Sequence, residues 1–454
     1  MRKILAIAGL AIRSAIRSRV VLVLLALLLI AIIALPLTIK GDGTLTSAVQ
    51  VLLRYTLGAV NLILSIATLW AGCAAISAEV QEHQVHLLVT KPVTRAQLWL
   101  GKWLGLLALN AALLTVAGGV TYGLLHWHLS QQNLSTQDRA TLREEWLVAR
   151  RVVNAEPVAV EADAQRIFEE QRRRGMLPKE VRPDQALAAI RQTLLQQAHA
   201  VPPNLMMRHV FKVSTTTPRS LVVRYKFTSS QNNKNPVTCI WLAGAPTRPD
   251  RFHRPELAAP NGVHTFQIPA ALVATDSTVT VDIANVNPEP LAMVFAPADG
   301  VQLLVYESSF LANFSRCLLV LLGELAFLGA LAVTMGSLFS LPVAALTTAY
   351  AVILMNIGSY LQTLTQEPFI IGSAMPPGAT PGLLDLLMHF VYVALFWMTK
   401  PFQTASPLEP LAVGELVSWW WVGGVWWWQV LVAGGILAAV GTWIFNRREL
   451  GLPS

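Results

Sequence analysis

The sequence is short of charge. Of 454 residues only 13% are Asp, Glu, Lys or Arg, about half the share of a water-soluble domain, while 54% are hydrophobic, so water is not this chain's main solvent. Cysteine is scarcer still. Cys73 and Cys317 lie in or beside apolar runs and Cys239 stands alone in a polar region, leaving no intrachain disulfide framework and no Cys-x-x-Cys metal pair. No Gly-x-x-x-x-Gly-Lys-Ser/Thr occurs: Gly101-Lys102 is followed by Trp103 and lacks the upstream glycine, so no P-loop nucleotide site is read in this sequence. The apolar runs hold no Ser/His/Asp or paired-carboxylate arrangement, and an enzyme is not read here. His83 and His86, like His126 and His128, lack acid or cysteine partners at ligand spacing, which argues against a metal site.

What the sequence has instead is long apolar runs. A helix crossing the hydrocarbon core needs about 20 mostly apolar residues. Six runs qualify: Val20–Thr38, Tyr55–Ile76, Leu104–Leu125, Cys317–Leu338, Val343–Leu364 and Val425–Phe445. Lys and Arg fix the orientation, because cytoplasmic loops carry the excess. With the N-terminus inside, ten basic residues fall in 1–19, 77–102 and the tail, against Lys40, Arg54, Arg316 and Lys400 outside. Both termini are therefore expected in the cytoplasm, in the cell (inner) membrane. The same distribution accounts for the net charge of +8 better than nucleic-acid binding does. The run Leu383–Trp397, interrupted by Asp385 and His389, is too short to cross and reads as an outer interfacial helix. The tryptophans at 419–421 and 426–428 sit where an aromatic belt is expected.

The expected organisation is a mainly α-helical membrane protein. Residues 1–125 hold an amphipathic N-terminal helix, lying on the membrane surface, and spans one to three; 312–454 hold spans four to six. Between them lies an extracytoplasmic α+β domain over 126–311, helical over 126–205 and a β-sandwich over 206–311. Its short alternating segments, His209–Val213, Leu221–Thr228, Val237–Leu242, Val263–Ile268, Thr278–Ile283 and Val301–Tyr306, are separated by Pro, Gly and Asn. Arg224, Tyr225 and Trp241 are conceivable ligand contacts there, with packing the simpler reading.

The loop over 77–102 carries the sharpest signal. It contains Ser77, Glu79, Glu82, Leu87, Leu88, then Lys91-Pro92-Val93-Thr94-Arg95, then Gly101-Lys102. Pro92 ends the helical pattern that precedes it. This run resembles the corresponding stretch of ABC exporter permeases of the ABC-2 type, as does the tail Asn446-Arg447-Arg448-Glu449-Leu450. His83-Gln84 departs from the Gly-Thr common in that family. The resemblance implies a short coupling helix that docks on an ATPase subunit through Glu79, Glu82, Leu87, Leu88, Lys91, Pro92 and Arg95. It also implies that ATP is bound by that partner, with no cofactor on this chain, and that a second permease copy or a paralogue completes the pathway.

Polar residues in apolar runs are costly and tend to be functional. Glu324, in the fourth run, and Arg54, near the outer end of the second, are read as a pair or as part of the route. Hydrogen bonding between helices is the other account of Glu324. Asn61, Asn110 and Asn356 read as interhelical hydrogen bonds. The expected function is that of a permease subunit moving an unknown substrate. The alternative of another class is a membrane-anchored binding or mechanotransmitting protein whose external domain engages an envelope partner.

Overall fold

The computed structural model describes residues 2–17, 19–38, 45–81, 94–131, 148–157, 159–174, 183–213, 221–230, 235–246, 250–274, 276–297, 299–356, 364–365, 382–400 and 406–447. The chain forms two compact units, Met1–Trp146 with Ser309–Ser454, and Leu147–Ser308.

The first unit is helical: α1 (Arg2–Arg17), α2 (Val20–Thr38), α3 (Leu45–Gln81) and α4 (Arg95–Gln131), then α7 (Phe310–Leu338) and α8 (Leu341–Asn356). It closes with α9 (Leu383–Thr399), α10 (Leu408–Ala412) and α11 (Trp419–Arg447), whose middle, Trp426–Ala433, is wound as π-helix. Among the described residues four segments are long and apolar enough to cross a membrane: Val49–Ser77, Arg95–Ser130, Phe310–Leu338 and Trp419–Arg447. A fifth is added if α1 and α2, bent against each other, count as one. This is a multi-pass membrane protein. The described part of the expected fifth run ends at Asn356, and 357–363 lie outside the described residues.

Helix α7 is the axis of this unit. Most of its membrane-length stretch is buried, and Ala332 and Gly336, one turn apart, let α3 cross against its backbone. A Cβ on Gly336 would run into the Cys73 carbonyl, and one on Gly72 would come within 2.6 Å of the Ala332 Cβ. Such close approach is how helices associate where the solvent is as apolar as the side chains. Hydrogen bonds supplement it: Asn110 Nδ2 donates to Thr68 Oγ1 at 2.8 Å, and Trp426 Nε1 to the Leu319 carbonyl at 3.1 Å. Asn313, wholly buried, donates to the Glu415 carbonyl and accepts from the Val417 amide, both at 2.7 Å, tying down the chain ahead of α11.

The second unit is β-rich. Its elements are β1 (Val148–Asn154), α5 (Glu161–Arg173), α6 (Pro183–Ala198), β2 (Ala200–Val201), β3 (Met206–Lys212), β4 (Leu221–Ser229) and β5 (Val237–Ala243). There follow β6 (Phe252–Ala258), β7 (Val263–Ile268), β8 (Thr278–Asn285), β9 (Met293–Phe295) and β10 (Val301–Ser309). One sheet runs β1-β10-β4-β9-β2, with β7 also on β4; the other runs β3-β8-β5-β6. Both contribute to one apolar core around Phe211, Tyr225, Phe227, Trp241 and Phe295, where the Tyr225 and Trp241 rings lie 4.5 Å apart.

Two expectations need correction. The stretch 126–205 is not helical throughout. Val148–Asn154 is a strand whose Val148 and Ala149 are buried and whose stiff Val152-Val153 pair suits a sheet; pairing with β10 overrides the helical pattern around it. A further strand, β6, runs through Pro255. Pro has no N–H for a sheet ladder, and β6 accommodates it by lying at the sheet edge.

Candidate functional site

Residues 82–93, with Glu82, Leu87, Leu88, Lys91 and Pro92, lie outside the described residues, as does the Glu79 side chain. Both flanks of the loop are described. On the C-terminal flank Thr94 Oγ1 accepts the Gln97 amide hydrogen and Gln97 Oε1 accepts that of Thr94, each at 3.3 Å. This reciprocal capping box satisfies two otherwise orphan amides and fixes where α4 begins. Arg95 follows at once, its guanidinium 5.2 Å from the centre of the Phe445 ring. On the N-terminal flank buried Ser77 donates to the Cys73 carbonyl at 2.6 Å, satisfying its hydroxyl within α3.

Just inside these flanks the two helices meet one apolar cluster. Ile76 of α3 and Leu98, Trp99 and Leu106 of α4 pack with Ile7 of α1, Ala330 and Val333 of α7, and Phe445 of α11. Trp103 Nε1 adds a hydrogen bond of 2.8 Å to the Ala326 carbonyl of α7. The roots of the loop are thus gripped by five helices. The described flanks of the loop therefore rest on one packed apolar core.

Helix α1 packs against α4, with Ile7 and Ala8 buried and Leu5, Leu10 and Ile16 exposed. Its seat is made by Gly101 and Gly105, one turn apart on α4. A Cβ at Gly101 would stand 2.6 Å from the Ile7 Cβ, and one at Gly105 2.9 Å from the Ala11 Cβ. Gly101, noted in the sequence as part of the loop motif, therefore has a packing reason to be glycine. The Gly105 seat and the Thr94–Gln97 box were not recognised there, although Thr-x-x-Gln after a proline is a legible start signal.

Of the polar residues singled out in or beside the apolar runs, Arg54 forms an ion pair with Glu409 of α10, Nη2 to Oε1 at 3.0 Å, with both side chains more than half exposed. Glu324 lies in α7, half-buried, next to Gly323, which abuts Val425 and Trp426 of α11. Asn110 makes the interhelical bond expected of it. Asn61 Oδ1 is buried without a hydrogen-bond partner among the described residues, and the Asn356 side chain lies outside them. Tyr225 and Trp241 are core residues of the β-rich unit, while Arg224 donates to Gln302 Oε1 through Nη2 at 2.6 Å and Nε at 3.1 Å.

Residues 5–142 match the model of a family described as ABC-2 family transporter protein. The matched stretch takes in most of α1, all of α2, α3 and α4, and the loop 82–93, so the likeness first read from the loop extends over the whole N-terminal helical stretch. No curated protein and no solved structure matches the chain.

Proposed function

We propose that this multi-pass membrane protein, whose N-terminal third carries an ABC-2 family transporter domain, is the permease subunit of an ATP-binding cassette transporter. It crosses the membrane six times, pairs with a second copy or a paralogue, and moves its substrate with ATP hydrolysed by a separate subunit. The family match over 5–142 carries this reading, and the anchoring of the loop roots in a cluster shared by five helices supports it. In it, Glu79, Glu82, Leu87, Leu88, Lys91, Pro92 and Arg95 form the surface that receives the ATPase. The β-rich unit is an extracytoplasmic β-sandwich module with its associated helices. Arg54 and Glu324 are polar groups of the translocation route.

The test is purification of the tagged chain from native membranes in mild detergent, with mass spectrometry of what accompanies it. A stoichiometric Walker-motif protein is expected. Arg95→Glu, which puts an acid at the loop root, should release that protein or uncouple its ATPase activity. Glu324→Gln should keep the complex and slow transport in reconstituted vesicles. A chain that purifies without any ATPase, under conditions that keep other transporters of this kind intact, would sink the assignment and leave a membrane-anchored binding protein.

A further inference from the structure

On the first unit a cleft of about 450 Å³ opens between α2, α3 and α10. That volume falls within the range of small-ligand sites. Its walls are apolar, formed by Leu35 of α2, Tyr55 and Leu62 of α3 and Leu408 of α10, and its polar edge is the Arg54–Glu409 ion pair. Tyr55 and Leu62 are 49% and 62% exposed, so the cleft is open along its flank. Leu35 lies in the last turn of α2 and Arg54 to Leu62 in the first half of α3, so the cleft sits toward the end of this helical pair where α2 stops and α3 begins. Exposed Trp419 and Trp420 begin α11, and Arg316 lies over the Trp419 ring at 5.1 Å. Helix ends with exposed tryptophans belong at head-group depth.

The ion pair itself holds little together. Pairs this exposed are worth about 0–1 kcal/mol, and the shortest contact runs from Nη2 to Oε1 at 3.0 Å. A guanidinium has five N–H donors and a carboxylate two acceptor oxygens, so both groups retain capacity toward the cleft. A purely anionic ligand would meet the Glu409 charge, and a purely cationic one the Arg54 charge. A zwitterion satisfies both at once, and an alkyl chain suits the walls.

We infer that this cleft binds a zwitterionic phospholipid with a primary ammonium head, phosphate on Arg54, ammonium on Glu409, and acyl chain along Leu35, Tyr55, Leu62 and Leu408. The carboxylate selects a primary ammonium over a quaternary one because only the former donates hydrogen bonds.

The full chain, purified and delipidated, is titrated with phosphatidylethanolamine, phosphatidylcholine and phosphatidylglycerol, and bound lipid is read by native mass spectrometry. Phosphatidylethanolamine should be retained about fivefold more than either of the others, the ratio expected of one hydrogen bond of ordinary net strength. Glu409→Gln should bring it down to the phosphatidylcholine level, and Arg54→Gln should weaken its retention as strongly. The exchanged variant Arg54→Glu with Glu409→Arg keeps an ion pair but reverses its direction. It should melt with the wild type and still lose the preference, which separates lipid binding from helix bracing. Equal retention of the three lipids by the wild type, or unchanged selectivity in the exchanged variant, would overturn the inference. Displacement by water-soluble phosphoethanolamine at equal concentration would assign the cleft to a soluble zwitterion and overturn the lipid assignment.

Discussion

Single side chains show how closely each unit is matched to its solvent. In the β-rich unit Asp282 is fully buried on β8, and its charge is answered by Arg208 at 2.9 Å, its register partner on β3, and by Arg251 at 2.6 Å. An unanswered buried carboxylate would cost several kcal/mol. The neighbouring His209 has no such provision. Its ring lies against Phe211 and Phe295, its Nε2 has no hydrogen-bond partner among the described residues, and burial, aided by His199 and opposed by Asp282, lowers its pKa to about 4. The unfolded chain takes up this proton near the ordinary value of 6.5, the native unit only near 4. His209 therefore costs nothing above about pH 6.5. As pH falls from there the unfolded state gains protons that the native state refuses, so stability declines until about pH 4, by about 3 kcal/mol in all. Hydrogen exchange of β3 and β8 peptides in the full chain, corrected for the intrinsic pH dependence of exchange, should show this loss in the wild type and lose most of it in His209→Gln. A wild-type profile that is level across that range would contradict it.

Among the elements, α1 and α4 make the most direct case of sequence deciding packing. Gly101→Val places side-chain atoms where Ile7 already sits, and overpacking of this kind costs about 1–3 kcal/mol. Gly119→Val, on the same helix where a Cβ meets nothing within 4 Å, is the matched control. The melting midpoint in detergent should fall for the first and hold for the second, and exchange protection of α1 should weaken only in the first. This seat was half legible: the α1 residues Ile7, Ala8 and Ala11 follow helical spacing, but their partner on α4 is not a property of either segment alone. The long spans were legible because apolar content decides them, as in Phe310–Leu338. Their ends were not: α3 runs from Leu45 to Gln81, past both limits of the apolar run, because helix continues where polar residues are tolerated. Asp385, which seemed to interrupt a helix, instead caps one, its Oδ2 accepting the Gly382 amide at 3.3 Å where α9 starts. Strand β1 was hidden by Arg150 and Arg151, whose charges read as a surface helix until β10 supplies its pairing. The partner of Arg54 was out of reach, since depth suggested Glu324 and only the folded chain brings up Glu409 from the short helix α10.

For the whole molecule the deciding quantity is the parity of its crossings. Six spans return the C-terminus to the side of the N-terminus; five would leave the two on opposite sides. Either number leaves the positively charged residues of α1 beside the first crossing, where basic residues favour the cytoplasm. Thiol labelling reads this directly, because Cys73, Cys239 and Cys317 are all buried and need not be replaced. In intact cells a membrane-impermeant maleimide should label Arg173→Cys, a site on α5 whose native side chain is 82% exposed. Ser14→Cys on α1 and Ser454→Cys at the C-terminus should react only after permeabilisation. Labelling of Ser454→Cys in intact cells, with Ser14→Cys still protected, would mean an odd number of spans. It would place Arg447 and Arg448 outside, against the charge rule, and would point to Leu383–Thr399 as an additional crossing or Val343–Leu364 as a segment that does not cross. The sequence favours even parity because ten basic residues then lie inside against four outside, and no odd count keeps that imbalance.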